Sequence, residues 1–332
     1  MPLWKQQPRF LGAGSKNIAS LRWCDVARQF WNEVQLTAMG RGPENTVANL
    51  SKIRWHTNLE TRYPFGERSP DPEWFEPIGF PPPWPDRPWI YGVVVASANG
   101  VLAWRRAGVD DDPVLAVLGH GSRPERIADS RHLRHLRCFG DVGLGAQTVR
   151  DQPRLVPSPQ ELGDPPVPAL YRFREAHGLP HHPRAIIYSL QGRFELTAPI
   201  FNTPGMDVIV VGTTSVATTL SARGATAKAV DVIAEQVLEP MGLRRAHERL
   251  FTERGVRYLA CEGGEQILRA LHVASLLDEV FVTLTDQVID ESAHEGVLKI
   301  FNFASEGADL IAEGKTSLLS NWTFRRWRFN AR

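Results

Sequence analysis

One stretch of the sequence decides the fold, and it reads Tyr258-Leu259-Ala260-Cys261-Glu262-Gly263-Gly264-Glu265-Gln266-Ile267-Leu268. Its apolar start predicts a buried strand, and the residues after the two glycines follow a helical pattern. The N–H groups in the first turn of a helix have no partners within the helix, and the helix dipole adds partial positive charge there. Because glycines let a phosphate approach the backbone, the stretch predicts an anion site between a strand and a helix.

The composition is that of an ordinary globular protein with one large domain or two small ones. The chain has 332 residues, of which 42% are hydrophobic and 23% are charged. A formal net charge of +1 argues against nucleic acid or a membrane surface as a partner. No apolar run is long enough to span a bilayer. Basic residues near the start resemble a transit peptide only weakly, so we expect a cytoplasmic location.

The three cysteines, Cys24, Cys138 and Cys261, are widely spaced and form no C-x-x-C motif. This spacing supports neither a zinc ribbon nor a redox motif, and the low count is typical of a reducing compartment. The acidic triplet at residues 110–112 and the pair His181-His182 are the other candidate metal ligands. We interpret both as solvated loops, because neither has further ligands nearby. We therefore expect no metal site.

Residues 1–87 differ from the rest and are predicted to form an N-terminal extension that packs on a body of residues 88–332. Seven of the ten tryptophans lie in this part of the chain or at its border. Helices are predicted at residues 25–36 and 45–55. The proline-dense run at residues 70–85 predicts an extended connector, because proline disrupts both helices and central strands. The alternative is that this run is a ligand for a proline-binding domain.

Predicted strands and helices alternate through the body. Strands are predicted at residues 89–97, 141–144, 185–189, 207–215, 227–232, 278–285 and 316–329 and at the start of the opening stretch; helices are predicted at residues 129–139, 242–254 and 265–274. This order indicates an α/β fold with a mostly parallel sheet and helices on both faces.

Three predicted strand ends carry glycine together with hydroxyl or charged residues, at residues 143–148, 212–215 and 262–264. Ligands of parallel sheets bind at the carboxyl ends of the strands. Three such ends therefore predict an extended, phosphate-bearing ligand such as a dinucleotide. The alternative is that all three are ordinary turns.

Several motifs occur in a fixed order along the body. They are Ser97-Ala98-Asn99-Gly100, Leu136-Arg137 ahead of Asp141, Gly145 to Val149 followed by Asp151-Gln152-Pro153-Arg154-Leu155, and Glu262-Gly263-Gly264 followed by Leu277-Asp278-Glu279. With these motifs, residues 88–329 resemble the reductase domain of riboflavin biosynthesis, which has a dihydrofolate-reductase-like fold. The resemblance implies NADPH as hydride donor, a homodimer, and a phosphoribosylamino-pyrimidine substrate whose ribose is reduced to ribitol. The deaminase domain fused to some members is not expected here, because no H-x-E with a following P-C-x-x-C is present.

The resemblance also implies roles for individual residues. We expect the coenzyme to contact Gly145, Thr148, Gly212, Thr213, Thr214, Gly263 and Gly264, the last two at its diphosphate. Candidates for substrate contacts are Ser97, Arg150, Asp151 and Arg154, although a surface role for the arginines is an open alternative. The catalytic candidates are Asn99 and Glu262. Glu262 either orients a ligand hydroxyl or caps the helix that follows.

The chain departs from the family pattern on the substrate side. Asn99 replaces the usual aspartate, and an amide cannot transfer a proton as a carboxyl group does. The segment from Thr148 to Asp151 is one residue shorter than usual, and Val156-Pro157-Ser158 stand where an arginine is common. Two further hypotheses stay open for this reason. One is a reductase of the same fold with another C=O or C=N substrate, and the other is a non-catalytic dinucleotide-binding or scaffolding protein.

Overall fold

The computed structural model describes seven ranges of the chain, which are residues 52–57, 78–108, 111–119, 123–160, 167–225, 230–317 and 319–330. The predicted helix at residues 25–36 lies outside them, as does most of the one predicted at residues 45–55. The described end of the second prediction is wrong, because a strand begins at Arg54.

Twelve strands and seven α-helices are found in the described residues. The strands are β1 Arg54–Thr57, β2 Trp89–Ala96, β3 Val101–Ala103, β4 Asp141–Gly145, β5 Ala185–Ser189, β6 Val208–Thr213, β7 Asp231–Glu235, β8 Tyr258–Cys261, β9 Glu279–Leu284, β10 Leu298–Lys299, β11 Ala308–Lys315 and β12 Thr323–Phe329. The helices are α1 Pro113–Leu118, α2 Pro124–Leu136, α3 Ala146–Asp151, α4 Pro168–Ala176, α5 Thr214–Ala222, α6 Pro240–Thr252 and α7 Glu265–Val273.

Ten of these strands form one sheet in the order β1-β11-β12-β9-β2-β8-β4-β5-β6-β7. From β9 to β7 all neighbours run parallel, while β12, β11 and β1 extend the β9 side in antiparallel fashion. Strands β3 and β10 pair separately. The predicted mostly parallel sheet is therefore confirmed, and all seven parallel strands end at one edge, which we call the carboxyl edge.

Helices cover both faces of the parallel part. On the front face, Leu136 of α2 and Val149 of α3 join a core that includes Tyr91 of β2. On the back face, Leu243 of α6 and Leu268 of α7 pack in a separate core. Successive strand residues point to opposite faces, so a strand covered on both sides must be apolar throughout. This is why the buried strands were readable as continuous apolar runs.

Residues 78–87, which we call the strap, lie against the core on the front face. Phe80 is fully buried and stacks on Tyr91 with ring centroids 4.4 Å apart. Arg87 makes two 2.8 Å bonds to the carboxylate of Asp278, which also accepts from the indole of Trp84 at 2.8 Å. Burial raises the pKa of Asp278, and the Arg87 bonds offset part of that effect. The strap is thus fastened to the body, while the domain boundary at residue 88 stays a prediction.

A buried tyrosine–histidine pair lies on the back face. The Tyr188 hydroxyl donates to Nε2 of His247 at 2.8 Å, and Nδ1 of His247 donates to the carbonyl oxygen of Leu243 at 2.7 Å. The carbonyl can only accept, so the hydrogen-bond network assigns the proton of the neutral ring to Nδ1. Burial lowers the pKa of His247 from 6.5 to about 4.

We expect this histidine to make the protein less stable in acid. Between pH 6.5 and about 4 the unfolded chain binds a proton at His247 that the folded chain resists. The contribution of neutral His247 to the free energy of unfolding is therefore complete above pH 6.5. It is lost as the pH falls to about 4, and the total loss is roughly 3 kcal/mol. Urea unfolding at pH 4.5 and pH 7 of the wild type and of His247→Gln measures it. If the variant loses as much free energy of unfolding between pH 7 and pH 4.5 as the wild type does, the loss does not come from His247.

Candidate functional site

A crevice is expected where β4 and β8 end. The two strands are parallel neighbours, with Gly143 opposite Cys261. After β4 the chain enters α3 on the front face, and after β8 it enters α7 on the back face. When adjacent parallel strands send their connections to opposite faces, a crevice opens between their carboxyl ends, and it is where such sheets bind ligands.

The glycines at these two strand ends differ in their surroundings. A Cβ atom on Gly145 would lie 3.0 Å from Cδ1 of Ile267, and one on Gly263 would lie 2.9 Å from it. Both glycines thus allow Ile267 of α7 to pack between the strand ends. A Cβ atom on Gly264 would meet no atom within 4 Å, and its backbone, at φ −66°, does not require glycine. Gly264 therefore leaves open space at the first turn of α7.

The backbone amides of the turn fall into two groups, those that bond within the protein and those that precede the first intrahelical bonds of α7. Glu262 N–H donates to the carbonyl oxygen of Gly143 at 2.8 Å. Gly263 N–H bonds to the thiol of Cys261, whose pKa burial raises to about 12. The intrahelical bonds of α7 begin with Ile267 N–H, so the amides of Glu265 and Gln266 precede them. These two amides, rather than that of Gly263, are the donors available to an anion beside Gly264.

Glu262 is held by an arginine that sequence reasoning did not assign to the site. Nε of Arg137 donates to one carboxylate oxygen at 2.6 Å, and Nη2 donates to the other at 2.7 Å. The Arg137 side chain is 2% exposed and also donates to the carbonyl oxygen of Ser158. The bonds that hold Glu262 run to Arg137 and not to the first turn of α7, so it does not cap the helix. The only signal in the sequence was the Leu136-Arg137 motif.

Ser97 and Asn99 are engaged in the turn between β2 and β3. Ser97 is fully buried, and its hydroxyl accepts from Val101 N–H and donates to Oδ1 of Asn99 at 2.8 Å. The Asn99 amide donates to the carbonyl oxygen of Ile289 at 2.9 Å and to Glu291 at 3.1 Å. The Asn99 side chain thus fastens this turn to the segment after β9, while the Ser97 side chain braces the turn itself. Because these bonds stay within the protein, neither side chain belongs to the proposed site.

Asn99→Asp is accordingly expected to destabilise the protein while leaving coenzyme affinity almost unchanged. The substitution removes the donor to Ile289 and places a carboxylate beside Glu291, at a cost of about 1–3 kcal/mol. Urea unfolding measures the loss. Because Glu291→Gln removes the repulsion, adding it should recover part of the stability. Wild-type stability in the single variant would show that the amide bonds contribute nothing.

The remaining predicted residues lie farther along the same edge or on its exposed rim. Gly212 and Thr213 end β6, two strands beyond β4, and exposed Thr214 begins α5. On α3, Thr148 is half-buried, whereas exposed Asp151 accepts from the Gln147 amide at 2.7 Å. Arg150 donates to Gln147 at 2.6 Å, and Arg154 is exposed. The structure thus brings Gly145, Glu262 and Gly264 together. The β6 residues lie two strand spacings from the end of β4 and three, or roughly 14 Å, from the end of β8.

The described ranges contain no group of three or more His, Cys, Asp or Glu residues that is arranged to hold a metal ion. His181 instead stacks on Tyr171 with ring centroids 4.1 Å apart. Asp112 caps α1 by accepting from Val114 N–H, and Asp111 accepts from the indole of Trp104. Within the same ranges, every helix is too short or too polar to cross a membrane.

Solved structures resemble this chain, and two of them illustrate the likeness. RibD from Acinetobacter baumannii aligns with a TM-score of 0.52 and 17% identity, over 74% of this chain and 58% of that one. A pyrimidine reductase-like protein from Corynebacterium diphtheriae aligns with the same TM-score and identity, over 74% of this chain and 94% of that one. The chain has the fold of these proteins. This confirms the dihydrofolate-reductase-like fold implied by the sequence resemblance.

The chain therefore spans a little over half the length of the Acinetobacter protein. No family model and no curated protein sequence matches it.

Proposed function

We propose that the chain is an NADPH-dependent reductase that converts the ribosyl group of a phosphoribosylamino-pyrimidine to ribitol. The observation that carries the proposal is the open first turn of α7, beside Gly264, at the point where the connections of β4 and β8 diverge. The likeness in fold to RibD supports the reaction class.

The residues of this edge fit a dinucleotide. The amides of Glu265 and Gln266, in the first turn of α7, would donate to an anion beside Gly264, which suits a diphosphate. Glu265 itself is paired with Arg269, so its negative charge at the helix start is offset. Gly145 and Thr148 suit a phosphate or ribose, and Gly212, Thr213 and Thr214 would lie along the adenosine half. When bound, the coenzyme supplies the hydride.

The contribution of this chain to the reaction is mostly positional. Arg137 holds Glu262 at the tip of β8, where its 11% exposed carboxylate can accept a hydrogen bond from a hydroxyl or amino group of a ligand. Because both of its oxygens are tied to Arg137, we assign Glu262 an orienting role rather than proton donation. Of the two predicted arginines, the exposed Arg154 is the candidate for the substrate phosphate, whereas we assign Arg150, which donates to the carbonyl oxygen of Arg193 after β5, to the coenzyme. A homodimer is part of the proposal, and sedimentation analysis tests it.

A second candidate is a reductase of the same fold that acts on another C=O or C=N compound. Specific observations favour it on the substrate side. The side chains of Ser97 and Asn99 are committed to internal bonds, and Asp151 is bonded to Gln147. The arginine common after Leu155 is absent from the sequence.

NADPH oxidation followed by absorbance separates these functions. Turnover with the phosphoribosylamino-pyrimidine is expected if the first proposal is correct. Turnover only with other carbonyl or imine compounds would support the second candidate. NADPH binding without oxidation in the presence of any of them would indicate a non-catalytic dinucleotide-binding protein.

A further inference from the structure

A large apolar side chain stands on the carboxyl edge between two of the predicted coenzyme-binding strand ends. Leu190 directly follows Ser189, the last residue of β5, and is 71% exposed. Strand β5 lies between β4, which ends at Gly145, and β6, which ends at Thr213. Leu190 therefore lies on the path that an extended ligand would follow from Gly145 to the start of α5.

The turn that carries Leu190 is firmly braced. The Ser189 hydroxyl oxygen accepts from Gly192 N–H at 2.8 Å. Gly192 has φ +63°, and a Cβ atom there would lie 3.2 Å from Val216 of α5, so glycine permits both the left-handed backbone and the close approach. Arg223 donates to the carbonyl oxygen of Gly192 at 3.2 Å. These contacts fix the backbone on both sides of Leu190 and hold its side chain outward.

The polar groups beside Leu190 suit a phosphorylated nucleoside. The hydroxyls of Thr213 and Ser215, 2.8 Å apart, lie at the start of α5. Arg150 of α3 donates to the carbonyl oxygen of Arg193 at 3.0 Å, which places an exposed guanidinium against the same turn. An apolar side chain flanked by hydroxyls and a cation matches a heterocyclic base with a phosphate on its ribose. Covering an exposed leucine with a flat ring is favourable, because it removes apolar surface from water.

We propose that Leu190 packs against the adenine base of the dinucleotide and so contributes to recognition of its adenosine half. The inference rests on the proposed function, since it assumes that a dinucleotide occupies this edge. It adds a base contact that the sequence did not predict. Among the ends of β8, β4, β5 and β6, only the end of β5 carries no predicted coenzyme residue.

The test compares ligand fragments in Leu190→Ala. Dissociation constants for NADPH, for 2′,5′-ADP and for reduced nicotinamide mononucleotide are measured by calorimetry. Loss of the leucine contact is expected to weaken NADPH and 2′,5′-ADP by the same factor, roughly tenfold, without affecting the mononucleotide. Leu190→Phe should retain the affinity, because an aromatic ring also stacks on a base. Unfolding should be unchanged, since Leu190 is mostly exposed.

Val273→Ala is the matched control, because Val273 is 60% exposed but ends α7 at the opposite edge of the sheet. It should leave all three affinities within twofold. Wild-type affinity for 2′,5′-ADP in Leu190→Ala would overturn the inference and leave the proposed function intact. If the variant instead changes only the sedimenting mass, Leu190 belongs to a contact between copies of the chain. Failure of the wild type to bind NADPH or 2′,5′-ADP would overturn both.

Discussion

Glu279→Ala is expected to lower the free energy of unfolding by about 3–5 kcal/mol, the cost of removing one partner from a buried ionic group. Glu279 is fully buried at the start of β9, and its two oxygens accept from Nε of Arg326 at 2.8 Å and from Nε of Arg328 at 2.7 Å. Arg326 is itself 5% exposed and also donates to the carbonyl oxygen of Gly79 in the strap. The substitution therefore removes the charge that offsets two guanidinium groups and loosens the strap.

The matched control for this prediction is Glu313→Ala on β11, two strands away in the same sheet. Glu313 of β11 pairs with Arg325 of β12 at 2.7 Å, but the two side chains are 37% and 35% exposed. An ion pair of this kind contributes about 0–1 kcal/mol. Urea unfolding of both variants at pH 7 makes the comparison. Equal losses in the free energy of unfolding would show that burial does not raise the cost of removing Glu279.

Gly264→Asp is expected to weaken NADPH binding by about 30-fold, or about 2 kcal/mol, because it places a carboxylate beside the proposed diphosphate position. Gly264 is the N-cap of α7, with an extended backbone at φ −66° and ψ −178°, and a side chain there enters open space. Aspartate is a favoured N-cap residue, so the folded state should lose no stability. A change in affinity can therefore be assigned to the site itself and not to unfolding.

Gly264→Asn provides the control with the same shape and no charge. It is also a favoured N-cap and can accept from the same Gln266 amide as aspartate, so the difference in NADPH affinity between the two variants isolates the charge. The affinity of Gly264→Asn should stay within about threefold of wild type. Equal weakening by both variants would point to steric exclusion rather than charge. No weakening by either would remove the first turn of α7 from the binding site. Position 263 is less informative, because any side chain there meets Ile267 at 2.9 Å.

Much of the parallel sheet could be predicted from local sequence. The predicted strand at residues 185–189 coincides with β5, and the predicted helix at residues 265–274 differs from α7 by one residue. These elements are readable because their apolar runs are continuous and are bounded by glycine or polar residues. The position of the turn between β8 and α7, where we propose the anion site, followed from the same local signals.

The misplaced elements depend on contacts that no local pattern records. The strand predicted at residues 207–215 ends two residues early, because the hydroxyl-rich run from Thr214 forms α5 and buries Val216 and Leu220 on the front face. Strand β11 was not predicted. Of the strand predicted at residues 227–232, the first three residues lie outside the described ranges, and β7 begins at Asp231. For α5 and β11, packing against the sheet outweighs the intrinsic preference of the residues.

Within the candidate site, the unpredicted features are long-range pairs. Arg137 and Glu262 are 125 residues apart, and Asn99 and Ile289 are 190 residues apart. Neither pair has a periodicity or spacing that could reveal it. The motif order pointed to Glu262 but could not show that Arg137 fixes it, nor that Asn99 is bound to the far end of the chain.

Titration of NADPH into the wild-type protein, followed by nucleotide fluorescence, tests the central claim most directly. Saturable binding of one NADPH per chain is expected, with a dissociation constant in the range of roughly 1–100 µM that is typical of enzyme ligands. Competition by pyrophosphate-containing ADP-ribose should displace it. Absence of binding at millimolar NADPH would contradict the assignment of the β4–β8 crevice to a dinucleotide.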